Sequence, residues 1–118
     1  MSIPKRQPAA PRAPAHLEEP TRAWWRSVVT TYELSEHHLR LLTLAGESWD
    51  RCKAARKAIA EKGMTFDDRF GAPHARPEVA IERDARLAFA RLLRELDLDV
   101  ELPSVSSRPP ALRSNRGG

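Results

Sequence analysis

The stretch MTFDDRFGAPHARPEVAIERDARLAFARLLRELDL, from Met64 to Leu98, decides the fold, because a turn-rich polar segment changes there into one long amphipathic helix. The first part combines aromatic and turn residues and therefore predicts a short β-hairpin. These residues are Phe66, Phe70, Gly71 and Pro73. Pro77 suits the first position of a helix, where its missing N–H costs nothing. The sequence therefore predicts a hairpin followed by a helix over Pro77 to Leu96.

This predicted third helix has an apolar face and a basic face. The apolar face consists of Ile81, Ala85, Ala88, Phe89, Leu92 and Leu96. The opposite side carries Arg83, Arg86, Arg91 and Arg94.

Two further helices precede the hairpin. Pro20 opens the first, which is predicted to end near Glu33. Its apolar residues recur at i, i+3, i+4 and i+7. They are Trp25, Val28, Val29 and Tyr32, with Trp24 beside them. Ser35 provides an N-cap for the second helix, and Gly63 suits the left-handed stop after it. The predicted fold class is mainly α-helical, with three helices and a short β-hairpin between the second and third.

The second helix is unusually long for so small a chain, at about 27 residues or roughly 40 Å. Its apolar residues fill an arc of roughly 160°, wider than one neighbouring helix requires. Arg56 lies inside this arc, and arginine is enriched at subunit interfaces. We therefore expect a homo-oligomer, with a compact monomeric bundle as the alternative. The interface candidates are Trp49, Arg56, Phe70, Phe89 and Leu92.

The positive charge of the chain is concentrated at its two ends. The net charge is +4, yet residues 17–99 contain nearly balanced charges. We expect residues 1–16 to form a disordered Pro/Ala-rich basic tail, residues 17–99 the helical core and oligomerisation domain, and residues 100–118 a second disordered basic tail. The basic residues of the tails are Lys5, Arg6, Arg12, Arg108, Arg113 and Arg116. Such arms are suited to contact DNA phosphates, although they are also compatible with a role in solubility alone.

Lys53 and Lys57 are the candidate DNA contacts within the core. They share one helix face at i,i+4, and a like-charge pair is better tolerated when a phosphate lies nearby. A solvated face relieved by Asp50 and Glu61 is the alternative.

Several classes of function are not supported by any motif. The N-terminal region lacks the apolar run of a signal peptide, no segment is apolar enough for a membrane span, and the single Cys52 permits no intrachain disulfide. These features predict a cytosolic protein. There is no GxxxxGK[ST] phosphate-binding loop. Asp67, Asp68 and His74 are the nearest approach to a Mg²⁺ site, but adjacent strand residues face opposite ways. We therefore expect no catalytic residue, metal or cofactor.

Four segments, in this order, resemble the small terminase subunits of tailed bacteriophages. They are AHLEEPTRAWWRSVV, HHLRLLTLAGESWDR, DRFGAPHARP and VAIERDARLAFARLLRELDLD, and together they cover roughly residues 13–100. The resemblance implies a non-catalytic, ring-forming protein of the host cytoplasm. Such a protein binds the packaging start on double-stranded viral DNA and hands it to the large terminase subunit, which holds the ATPase and nuclease. It also implies that the hairpin over residues 68–73 and the helix over residues 77–96 are assembly elements.

Two other functions remain open from the sequence. A dimeric DNA-binding transcriptional regulator would share the helix content and charge pattern, but should contain a discrete three-helix DNA module. The turn before Ser35 lacks the glycine usual in a helix-turn-helix, and the following helix is too long for a standard recognition helix. A small metal-dependent nuclease is the enzymatic alternative.

Overall fold

The computed structural model describes residues 11–98, which form three helices and one β-hairpin. Helix α1 spans Glu19–Thr31, α2 spans Glu36–Lys62, and α3 spans Pro77–Leu96. Strands β1, Thr65–Asp67, and β2, Pro73–Ala75, pair antiparallel between α2 and α3. The predicted fold class is confirmed. No helix within residues 11–98 is long and apolar enough to cross a membrane.

Helix α2 begins and ends where the sequence predicts. The Ser35 hydroxyl accepts a hydrogen bond from the backbone N–H of His38, as an N-cap does. Gly63 ends the helix with a positive φ of 89°, a conformation that favours glycine. The helix is therefore 27 residues long without interruption.

Helix α3 runs antiparallel to α2. The hairpin between them is closed at its base by a hydrogen bond from Arg76 N–H to the Met64 carbonyl. Contacts between the two helices reverse in order along the chain: Trp49 meets Phe89, and Cys52 meets Glu82 nearer the hairpin. The hairpin thus lies at one end of a two-helix unit.

Helix α1 ends two residues earlier than predicted, and this changes the position of Tyr32. Tyr32 has extended backbone angles, φ −120° and ψ 151°, so its side chain leaves the helical face and is exposed. The buried α1 residues are Thr21, Trp25 and Val28. The four preceding residues, from Val28 to Thr31, are all β-branched and have reduced helix propensity, which explains the earlier end.

The hydrophobic core lies where α1 and the end of α3 meet α2. It contains Leu17, Trp25, Val28, Leu42 and Leu96, and the Trp25 indole N–H donates to Thr43 Oγ1 at 3.2 Å. Among the described residues upstream of Leu17, Ala13 packs against this core. Residues 1–10 and 99–118, which include most of both predicted tails, lie outside the described residues.

Gly46 allows α1 to approach α2 closely. A Cβ atom at this buried position would lie 3.0 Å from Leu17 Cδ1 and 3.2 Å from Thr21 Cγ2. Only a residue without a side chain fits these distances unless its neighbours move.

Candidate nucleic-acid and subunit interfaces

The three helices form an apolar cleft of about 280 Å³, open to solvent and lined by three residues of α1 and one each of α2 and α3. Its walls are Pro20, Thr21, Trp24, Trp49 and Phe89. The Phe89 ring centroid lies 5.0 Å from that of Trp49 and 6.1 Å from that of Trp24, both in tilted geometry. We refer to these five residues as the aromatic cleft.

The first turn of α1 is held against the cleft by Asp50. Glu18, at the N-cap position, makes no side-chain cap to its own helix. Asp50 of α2 replaces that cap, because it accepts hydrogen bonds from Glu18 N–H at 2.8 Å and from the Thr21 hydroxyl at 2.5 Å. A carboxylate at the N-terminus of a helix is also favoured by the helix dipole. Asp50 therefore fixes the α1 wall of the cleft.

Trp49 and Phe89, two of the predicted interface residues, contact each other within one chain and remain accessible. Trp49 is 40% exposed. Phe89 and Leu92 are partly buried. The long apolar arc of α2 is also incompletely covered, since Leu44 is 48% exposed while Leu42 and Ala45 are buried. The two long helices thus keep apolar surface that the described chain does not bury.

Arg56, the charged interface candidate, has a carboxylate partner inside the chain. Its Nε donates to Glu82 Oε2 at 3.0 Å, and Arg86 Nε donates to the same oxygen at 3.2 Å. Hydrogen bonds from Arg86 and Arg56 hold the pKa of Glu82 below its usual value. The buried Cys52 thiol also donates to Glu82, at 3.5 Å. Burial, and then this hydrogen bond, raise the pKa of Cys52, so the thiol is not activated as a nucleophile.

The hairpin turn is organised by Asp68. Its carboxylate accepts hydrogen bonds from the backbone N–H groups of Phe70, at 2.8 Å, and Ala72, at 3.0 Å. It also pairs with His74 Nε2 at 2.8 Å. The hydrogen bond from His74 is the largest cause that lowers the pKa of Asp68, followed by the backbone bonds. Within residues 11–98, no group of three or more His, Cys, Asp or Glu side chains is placed to hold a metal ion.

The two aromatic residues of the hairpin differ in their surroundings. Phe66 stacks on His74 directly across the strands, with ring centroids 5.4 Å apart. Phe70, at the tip, is 81% exposed. Its only aromatic or cation–π neighbour among the described residues is its own chain neighbour, Arg69, whose guanidinium lies 5.1 Å from the ring centroid.

The candidate DNA contacts within the described chain are on the surface. Arg12, Lys53 and Lys57 are all exposed, and within residues 11–98 neither lysine forms an ion pair. Asp50 directs both carboxylate oxygens to α1 rather than to these lysines. The remaining predicted contacts lie outside the described residues: Lys5, Arg6, Arg108, Arg113 and Arg116.

Sequence reasoning missed the roles of Asp50 and Thr21. The available signal is negative: α1 starts at a Glu-Glu-Pro segment with no Ser, Thr, Asp or Asn as N-cap, so its first turn needs a partner from elsewhere. Nothing in the sequence identifies that partner as Asp50.

One family model matches the chain. Residues 21–105 match the family described as phage terminase, small subunit, and the match runs from α1 through the hairpin to the end of α3. No curated protein and no solved structure gives a significant match.

Proposed function

The chain belongs to the family of phage terminase small subunits, and on that premise we propose that it is the DNA-recognition component of a genome-packaging machine. It binds the packaging start site on double-stranded viral DNA and recruits or regulates the large terminase subunit in the host cytoplasm. The ATPase and nuclease reside in that large subunit, and the small subunit contributes no catalysis of its own. The family match over residues 21–105 is the observation that carries this proposal.

Assembly into a homo-oligomeric ring is part of the proposed function. It is supported by the apolar surface left accessible on α2 and α3, including Trp49 and Leu44. An arrangement in which each subunit offers one surface to the next either closes into a ring or grows into a filament. Size-exclusion chromatography with light scattering tests this step, and a monomer or simple dimer at micromolar concentration contradicts it.

DNA binding is proposed to use the basic ends of the chain together with Lys53 and Lys57. Both lysines are exposed and Asp50 is committed to α1, so that of the two acidic residues named for this face of α2 only Glu61 is left beside Lys53 and Lys57. A face with more basic than acidic side chains suits contact with a phosphate backbone. Contacts of basic side chains with DNA phosphates release counterions and carry no sequence information. The basic ends of the chain are therefore proposed to supply sequence-independent affinity.

A salt series separates the arms from the core. Deleting residues 1–12 or 108–118 should weaken binding to every duplex. Each lost phosphate contact should make the negative slope of log K against log salt shallower by about 0.9. The measurement is fluorescence anisotropy with a random duplex. Unchanged affinity and slope after removal of both arms would assign binding to the folded core.

The contribution of α2 is tested by replacing Lys53 and Lys57 with Ala. The matched control replaces Arg91 and Arg94, two exposed arginines of α3, and removes the same charge. If the α2 pair contacts phosphate, its loss lowers both affinity and salt slope more than the control does. Equal effects would mean that only net charge matters.

A duplex carrying the packaging start should bind more tightly than a random duplex of equal length.

The absence of catalysis is tested with the purified chain. It should neither hydrolyse ATP nor cut DNA in Mg²⁺ or Mn²⁺, and it should alter the activity of a large subunit. DNA cleavage that disappears on replacing Asp67, Asp68 or His74 would replace this proposal with a metal-dependent nuclease.

A further inference from the structure

The hairpin tip exposes an apolar ring, and the aromatic cleft is an open apolar surface large enough to accept one. We propose that Phe70 of one subunit docks into the aromatic cleft of a neighbouring copy of this chain, an inference that rests on the proposed assembly and names the contact that builds it.

Phe70 is presented by a constrained turn rather than by a loose loop. The Asp68 carboxylate holds the backbone N–H groups on both sides of the tip, those of Phe70 and Ala72. Gly71 adopts a positive φ of 84°, which favours glycine at this position of the turn. A large apolar ring that is 81% exposed on such a support loses little conformational freedom when it is buried by a partner.

The cleft has the size and chemistry to accept a phenyl ring. A buried apolar cavity of about 150 Å³ is sufficient to bind benzene. The aromatic cleft, at about 280 Å³, is larger and open on one side. The rings of Trp24, Trp49 and Phe89 form its walls and allow tilted or offset contacts with an incoming ring.

Phe70 does not occupy the cleft of its own chain. Trp49 precedes the end of α2 at Lys62 by roughly 20 Å of helix, and Phe89 follows the start of α3 by roughly 18 Å, at 1.5 Å per residue. Phe70 is not among the cleft residues, and its ring is 81% exposed. Docking between two copies of the chain would therefore bury a tip and a cleft that each single copy leaves open.

One charged group beside each surface is also available for an ion pair. Arg69 lies against the Phe70 ring, and it forms no ion pair with a carboxylate of residues 11–98. At the edge of the cleft, Glu19 is already paired with Arg22 and Arg26, whereas Glu18 is exposed and has no cationic partner within residues 11–98. A docked Phe70 would offer its neighbouring guanidinium to Glu18, and opposite charges favour such an encounter.

The contact is heterologous, because the tip of one subunit meets the cleft of the next. Each subunit therefore uses its tip in one contact and its cleft in another. Repetition of such a contact closes into a ring when the rotation between subunits permits it.

Two variants and their mixture test the proposal by light scattering on the full-length chain. Phe70→Ala removes the tip and keeps the cleft, whereas Trp49→Ala removes a wall of the cleft and keeps the tip. Loss of one buried phenyl ring should weaken each contact by roughly ten- to a hundred-fold, so each variant alone should shift to monomer at micromolar concentration. Mixed together, the two variants should form a 1:1 heterodimer and stop there. In this heterodimer, Phe70 of the Trp49→Ala chain enters the intact cleft of the Phe70→Ala chain. No second contact can form, because the Phe70→Ala chain has no tip ring and the Trp49→Ala chain has no complete cleft.

Leu87→Ala is the matched control, because it removes another exposed apolar side chain, on α3. It should leave the wild-type mass unchanged, and circular dichroism should show the same helix content for all variants. An equal loss of mass for Leu87→Ala would overturn the specific contact. The proposal would also be overturned if the wild type is oligomeric and Phe70→Ala has the same oligomeric mass. That result is expected if the cleft holds another segment of the chain or a different protein. In that case assembly and DNA binding still stand. A monomeric wild type would overturn the assembly itself.

Discussion

Replacing Gly46 with Ala tests the close approach of α1 and α2, because two opposing effects set its sign. Inside a helix, Ala is more favourable than Gly by about 1 kcal/mol. Here, however, the added Cβ would lie 3.0 Å from Leu17 Cδ1 and 3.2 Å from Thr21 Cγ2. Overpacking a tight core typically costs about 1–3 kcal/mol.

The neighbours decide which effect is larger. Leu17 is almost completely buried, and Thr21 is buried and hydrogen-bonded to Asp50, so neither side chain can move away freely. We therefore expect Gly46→Ala to lower the free energy of unfolding by about 1 kcal/mol, the surplus of strain over helix propensity. For a domain of this size, that corresponds to a fall in Tm of about 4–8 °C.

The assay is urea unfolding followed by circular dichroism at a fixed chain concentration, since association would change apparent stability. Leu17→Val supplies the control background, because it removes both Cδ atoms of that side chain. In this background the penalty of Gly46→Ala should fall by more than half. A stabilising effect of Gly46→Ala in the wild type would refute the reasoning, since it would show that α1 adjusts to the added methyl group.

Two further predictions concern Asp50 and Asp68. Asp50→Ala should lower the free energy of unfolding by about 0.5–2 kcal/mol, the usual cost of a lost helix cap, and urea unfolding of the variant checks it; an effect near zero would mean that water replaces the contacts to Glu18 and Thr21. Because the pKa of Asp68 is lowered in the folded hairpin, its stabilisation is present above the ordinary Asp value and is lost as the pH falls through the lowered one. Asp68→Asn should therefore make the backbone amides of the turn exchange faster at neutral pH, as measured by hydrogen exchange. It should also weaken the loss of exchange protection at acid pH, and an unchanged pH profile would show that ionisation of Asp68 does not stabilise the turn.

The sequence predicted the elements that depend on local chemistry. Pro20, Ser35 and Pro77 mark helix starts through backbone geometry and capping, and Gly63 marks an end through its positive φ. These signals act within a few residues of their position and can be read without the fold. The hairpin followed from the same kind of signal, because turn residues lie between two short strands.

The features that escaped prediction join residues distant in the chain. Asp50 caps a helix that begins more than thirty residues earlier in the sequence, and Glu82 receives both Arg56 and Arg86. Periodicity places each of these residues on a helix face, but it does not specify which residue of another helix lies opposite. The aromatic cleft is of this kind too, since its walls come from three helices and exist only after they pack.

The attachment of α1 makes the aromatic cleft conditional on local folding. Helix α3 packs along α2 more extensively than α1 does, and α1 supplies three of the five cleft residues, Pro20, Thr21 and Trp24. If α1 detaches while α2 and α3 stay paired, the cleft loses one side and only Trp49 and Phe89 remain. Elements with few contacts open at lower free energy than the whole domain. A partner in the cleft would then bind only chains with α1 in place and would protect α1 from opening. Binding of the partner and docking of α1 are thus thermodynamically coupled.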